Sequence, residues 1–109
     1  EGLEVVAVCA RRRDRAEKAA GDFGIQGVYT DYHEMLRHPR LDAVSIATPP
    51  AIRHEITIAA LNAGKHVLCE KPFALDQDEA REMWHKAKYT GLTAMVGHEF
   101  RFAPTLSPI

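Results

Sequence analysis

Four short clusters hold the side chains that could do chemistry, and each follows an apolar run: Ala10-Arg11-Arg12-Arg13, Thr48-Pro49-Pro50, Glu70-Lys71-Pro72 and His98-Glu99-Phe100-Arg101. The third says most, because it sets a lysine between an acid and a proline at the end of His66-Val67-Leu68-Cys69. In open α/β sheets ligands collect in the crevice outside the carboxyl ends of the strands, so Lys71 is placed where a side chain can meet a substrate. Pro72 fixes the backbone directly after the lysine and limits where its stem starts. The plain alternative is a solvated charge in a strand-to-helix turn. The arginine run offers planar guanidinium groups, which bind phosphate through paired donors. Its plain alternative is a solvated basic turn before a helix. His98 and Arg101 are candidates for ligand contact, although a histidine in a loop is more often just solvated.

Positioning these clusters requires elements. Residues 4–10 are continuously apolar after Glu4, the pattern of a parallel strand covered on both faces. Asp14, with Glu17 three residues later, reads as a capping box opening a helix that runs through Phe23 and stops at Gly24. Residues 27–29 read as a short strand, 32–37 as a short helix closed by Pro39, and 43–47 as a second fully buried strand. Ile52, Ile56, Ala59, Ala60 and Ala63 recur at helical spacing up to Gly64, and His54, near the start of that helix, reads as packing or capping locally. Residues 66–69 form the next strand. Residues 76–90 form a helix with Ala80, Met83, Trp84 and Ala87 on its packed face, and 93–97 the last strand. Trp84 with Met83 reads as helix core, not as a stacking platform. Strands alternate with helices throughout, which implies βαβ crossovers and a doubly wound parallel sheet, a Rossmann-like α/β fold. The polar clusters then converge on one rim.

With 109 residues, 46% of them hydrophobic, the chain can bury the core of one domain. A formal net charge of -1 leaves no field for nucleic acid or an anionic membrane, so neither is an expected partner. No apolar segment approaches the roughly 20 residues that span a bilayer, and the first residues carry no export signal. Cys9 and Cys69 lie in separate strand-like segments without a Cys-x-x-Cys pair and read as buried reduced thiols, which favours the cytoplasm. No metal is expected: His33, His38, His66 and His85 lack ligand spacing, and neither His54-Glu55 nor His98-Glu99 extends to His-Glu-x-x-His. Ser45 and Ser107 have no histidine and acid at suggestive spacing, so nucleophilic hydrolysis is unsupported.

Taken together, Ala47-Thr48-Pro49-Pro50, His54, the stretch from Ala63-Gly64-Lys65-His66-Val67 into Glu70-Lys71-Pro72, and Gly97-His98-Glu99-Phe100-Arg101-Phe102-Ala103-Pro104 resemble the glucose-fructose oxidoreductase, inositol dehydrogenase and rhizopine-catabolism (Gfo/Idh/MocA) family. The resemblance covers nearly the whole chain. It implies an N-terminal Rossmann domain followed by a C-terminal α/β domain with an open sheet, a nicotinamide cofactor, and oxidation or reduction of a carbon on a sugar or cyclitol. By the same resemblance, Lys71 reaches the substrate hydroxyl or carbonyl beside the nicotinamide, Thr48 and Pro49 line the dinucleotide, and Glu70 sits close to the nicotinamide ribose. The physical chemistry of Lys71 agrees, since an ammonium aimed at a carbonyl oxygen stabilises the charge that hydride transfer develops there.

An NAD-specific member would carry an acid after the second strand to accept from the ribose 2′-hydroxyl. Ala10 stands there instead, with Arg11 and Arg12 beside it, which favours NADP over NAD with Arg11 as the first contact. Arg101 joins the expected cofactor contacts, and His98 joins Lys71 at the substrate. No Gly-x-Gly-x-x-Gly occurs, and Gly21, Gly24 and Gly27 follow a helix rather than open one. The expectation is therefore a partial Rossmann domain over residues 1–97 that lacks the first strand and phosphate loop, with residues 98–109 starting the connection to a substrate domain. The function expected is that of a fragment of an NAD(P)-dependent oxidoreductase acting on a sugar, cyclitol or related polyol or keto substrate, homo-oligomeric when full-length. Two rivals stand beside it: a dinucleotide-binding regulator without turnover, and a truncated product without function.

Overall fold

The computed structural model describes residues 2–72 and 74–97. They form two compact units that divide between Asp42 and Ala43.

In the first unit, β1 (Ala7–Cys9) pairs in parallel with β2 (Gly27–Tyr29), with Ala7 opposite Gly27 and Cys9 opposite Tyr29. Between them runs α1 (Arg13–Phe23), which buries Ala16 and Ala20. Gly24 ends it in the left-handed conformation at φ 67°, returning its N–H to the Ala20 carbonyl. The helix opens two residues earlier than the capping-box reading allows. Arg12 is the N-cap and Asp14 lies inside the first turn, paired with Arg12 at 2.8 Å rather than with a backbone N–H. The strand expected over residues 4–10 shrinks to three residues because β2 offers only three partners. Gly27 is needed for that pairing, since a Cβ there would stand 2.7 Å from the Val6 carbonyl oxygen. Next, α2 (Tyr32–Met35) is capped by Asp31, whose carboxylate accepts from the His33 N–H at 2.9 Å. It is shorter than the expected 32–37, and Leu36 and Leu41 close the core beneath it.

The second unit holds three parallel strands in the order β3 (Ala43–Ile46), β4 (His66–Glu70), β5 (Ala94–Gly97). A 3-10 turn at Pro50–Ile52 leads into α3 (Arg53–Asn62), and α4 (Gln77–Thr90) connects β4 to β5. Asp76 caps α4 by accepting from the Glu79 N–H at 2.8 Å, and Gly91 ends it at φ 71°. The core comprises Val44, Ile46, Ile56, Ala60, Leu61, Val67, Cys69 and Met83.

Two expectations change. The sheet is buried on one face only, since β3 and β4 alternate exposed and buried residues and the opposite row leaves Leu68 44% and Met95 60% exposed. Trp84 is not core. It is 58% exposed, with the Lys88 ammonium 5.0 Å from its ring centroid, while Met83 alone of the α4 residues is buried. Among the described residues the parallel strands lie in two sheets, β1-β2 and β3-β4-β5, in keeping with the Rossmann-like α/β reading.

Candidate functional site

Two loops leave the carboxyl ends of neighbouring strands: residues 47–49 after β3, and residues 71–72 and 74–76 after β4. Ile46 pairs with Cys69, so the two exits stand side by side. Between them lies Arg53, on the first turn of α3 and 7% exposed. Its Nε donates to the Thr48 carbonyl at 2.7 Å, and its Nη1 donates to the carbonyls of Glu70 at 3.0 Å and Pro72 at 2.8 Å. A buried guanidinium is costly unless its donors are satisfied, and these carbonyls take three of its five. The sequence reading missed Arg53. Its signal was a charge in register with the apolar face of a helix, three residues before Ile56 and seven before Ala60.

Lys71 lies directly past β4 with an exposed side chain, and its peptide bond to Pro72 is cis. It borders a hollow of about 620 Å³ whose walls include Pro72, Leu75, Asp76 and Val96. Most of the lining is apolar, and Lys71 and Asp76 are the charges on it. Since the Asp76 carboxylate is engaged as the α4 cap, Lys71 is the charge left to act on a molecule in the hollow. Glu70 pairs with Gly97 in the β4–β5 register, and a Cβ on Gly97 would come within 3.2 Å of Glu70 Oε1. The carboxylate thus lies against Gly97, whose missing Cβ leaves it room. Thr48 is half-buried and Pro49 exposed beside the same loop.

Beneath the loops, Cys69 is buried and unpaired. Burial raises its thiol pKa, with the Glu70 charge in the same direction and the Thr57 hydroxyl and Arg53 charge opposing. His54 packs between helices as expected: its Nδ1 is 3.9 Å from Glu79 Oε2 and its Nε2 is 3.3 Å from Glu82 Oε2.

In the first unit, Ala10 continues from β1 and its N–H bonds to the Tyr29 carbonyl at 3.1 Å. Arg12 pairs with Asp14 and Arg13 reaches Glu17 at 4.0 Å, whereas Arg11 is exposed and forms no ion pair among the described residues. Cys9, expected buried, is only partly covered, and burial followed by the Asp31 charge raises its thiol pKa. His98 and Arg101 lie outside the described residues, so the third polar loop is not part of the geometry above.

Parallel strands joined by helices, with polar loops and a lysine at the strand ends, define the Rossmann class of dinucleotide-binding folds. The sequence profile of an oxidoreductase family with an NAD-binding Rossmann fold, Gfo/Idh/MocA, matches residues 1–98, and the chain belongs to that family. It is 38% identical over 105 residues to a 4-carboxy-2-hydroxymuconate-6-semialdehyde dehydrogenase from a Sphingobium species, covering 96% of this chain and 33% of that protein. It is 36% identical over 109 residues to an NADP-linked scyllo-inositol 2-dehydrogenase from Bacillus subtilis, covering all of this chain and 33% of that protein. Among solved structures, a 3-ketoreductase from Actinomadura kijaniata in complex with TDP-benzene and NADP superposes with a TM-score of 0.87 at 35% identity, over 94% of this chain and 32% of that one. The chain therefore spans about a third of the length of these relatives.

Proposed function

We propose that the full-length protein is an oxidoreductase moving a hydride between a nicotinamide dinucleotide, NADP ahead of NAD, and a sugar, cyclitol or related polyol or keto compound. The observation that carries this reading is the placement of Lys71: exposed past the end of β4, beside an apolar hollow, with the peptide carbonyls on either side held by one buried guanidinium. The nicotinamide, when bound, supplies the hydride acceptor or donor. The chain's own residues bind, orient and stabilise. As a carbonyl oxygen gains charge during reduction, the Lys71 ammonium stabilises it. Glu70 sits toward the nicotinamide ribose, and Thr48 and Pro49 line the dinucleotide. His98 and Arg101 serve the substrate and the nicotinamide end.

The donor set after β1 fits a 2′-phosphate better than a free 2′-hydroxyl. Ala10 has no carboxylate to accept from the hydroxyl, and the exposed Arg11 guanidinium is not committed to an acid among the described residues. Relatives whose names and structures carry NADP support the same choice.

The test is a titration of the full-length protein with NADPH and NADH, followed by a panel of sugars, cyclitols and their keto forms monitored at the nicotinamide absorbance. Lys71→Ala is expected to lower turnover by about 100-fold or more with cofactor affinity little changed. Near-normal turnover in that variant sinks the assignment.

A further inference from the structure

Arg53 does something no other described side chain does: it ties together the two loops that carry the proposed site. One nitrogen, Nη1, holds the carbonyls of Glu70 and Pro72, the residues immediately before and after Lys71. The adjacent Nε holds the carbonyl of Thr48, in the loop after the neighbouring strand. Loops at strand ends are ordinarily the mobile parts of an α/β fold. Here the backbone origin of the Lys71 stem and that of the Thr48 loop are referred to one planar, buried group. A guanidinium has its N–H donors in a fixed fork, so the direction of each bond is set by the others, and the group cannot turn without losing several at once.

We propose that Arg53 is the positioning residue of the site, setting the distance and angle between the lysine that meets the substrate oxygen and the loop that lines the dinucleotide. This rests on the reading of Lys71 as the group acting on substrate. A lysine at position 53 would retain the charge and most of the stem but replace the fork with a single ammonium, which cannot serve carbonyls on two loops in the same geometry. The consequence is a loss in the chemical step and in cofactor seating without loss of the fold, since the apolar core of this unit does not include the guanidinium. Misplacement of a catalytic group by about 1 Å costs on the order of 100-fold in rate.

The experiment compares the full-length protein with Arg53→Lys, Arg53→Ala and Lys71→Ala, measuring NADPH dissociation constant by fluorescence, turnover with the best substrate of the panel above, and folding by circular dichroism. Arg53→Lys is expected to be folded, with kcat down about 10- to 100-fold and the NADPH constant raised. In Arg53→Ala, guanidinium chloride at low millimolar concentration should restore part of kcat, and the same salt should do nothing for Lys71→Ala. If Lys71→Ala keeps its turnover, the reading of the lysine fails first. If Lys71→Ala is dead while Arg53→Lys matches the parent in kcat and NADPH affinity, the positioning role is overturned. Should the panel yield no substrate, the NADPH constant decides: unchanged values in both Arg53 variants overturn the proposal. Arginine variants that lose activity only by unfolding, with no rescue by guanidinium, assign Arg53 to stability alone and overturn it equally.

Discussion

The division of labour between neighbouring charges is clearest in the run after β1. Arg12 and Arg13 answer acids on their own helix, Asp14 and Glu17, and both pairs are solvent-exposed, where such contacts contribute little to stability. Arg11 has no such commitment among the described residues, so its removal should be nearly silent for folding and audible in binding. Arg11→Ala in the full-length protein is expected to weaken NADPH by about 10- to 100-fold, the equivalent of one charged contact of about 1.5–3 kcal/mol, and to leave NADH unchanged. Equal losses for both cofactors in a titration would place Arg11 away from the 2′-phosphate. Cys69 gives a second test at this scale. Its thiol is raised above the ordinary value of 9.0, so the fold favours the neutral form. The stability this confers is complete below that value and is lost as pH climbs through the higher folded one. Urea midpoints measured from pH 8 to 10.5 should therefore fall more steeply for the parent than for Cys69→Ala, and parallel curves would show that the thiol is not protected. At this scale the place of Lys71, exposed past the end of β4, was legible, because the acid, lysine and proline are consecutive. Arg53 was not, because its partners are carbonyls 5, 17 and 19 residues away that no side-chain pattern announces.

Helix ends were legible where a glycine sets them and less so where a cap does. Gly24 and Gly91 take the left-handed conformation that ends a helix, whereas α1 opens on Arg12 rather than Asp14, and the caps Asp31 and Asp76 emerged only from the structure. The order and type of the strands followed from apolar runs alone. What the runs could not disclose is how much of each is paired or covered, since that depends on the partner strand and the neighbouring layer. The strand at residues 4–10 contracts to three residues for this reason, and Trp84 falls outside the core although its spacing matches that of Met83. Gly27 is the position at which pairing in the first unit is most exposed to substitution. Its missing Cβ makes room for the Val6 carbonyl at 2.7 Å and the Ala7 Cβ at 3.1 Å, and both strands here are only three residues long. Gly27→Ala should push β1 and β2 apart and cost about 1–3 kcal/mol, the range for overpacking a site that cannot relax. Gly21→Ala, on the exposed side of α1 with nothing within 4 Å, should cost nothing or stabilise slightly. Thermal melts of the two variants in the full-length protein would separate these outcomes, and an unperturbed Gly27→Ala would mean that β1 can slide along its partner.

Over the whole chain, the property with the largest physical consequence is the apolar surface left open. Leu68 and Met95 lie directly opposite each other in the β4–β5 register, on the face of the sheet away from Val67 and Cys69. They remain 44% and 60% exposed, and Leu75, Trp84, Leu3 and Val5 add further exposed apolar area elsewhere. Parallel sheets are found almost only with both faces covered, and uncovered apolar patches promote association. The sequence carried this in residues 43–47, read as a fully buried strand, which ask for two covered faces where the described residues cover one. Expressed as these 109 residues alone, the chain should therefore self-associate at micromolar concentration and bind an apolar dye such as ANS. Replacing both exposed residues of the row, as Leu68→Thr with Met95→Thr, should reduce both effects, since each change keeps a β-favouring side chain on the strand while removing the apolar surface. Changing the buried neighbours instead, as Val67→Thr, should unfold the unit and increase dye binding. Sedimentation velocity and dye titration of the three chains distinguish the cases. A parent chain that sediments as a monomer without binding dye would show that the Leu68 and Met95 row is covered in solution.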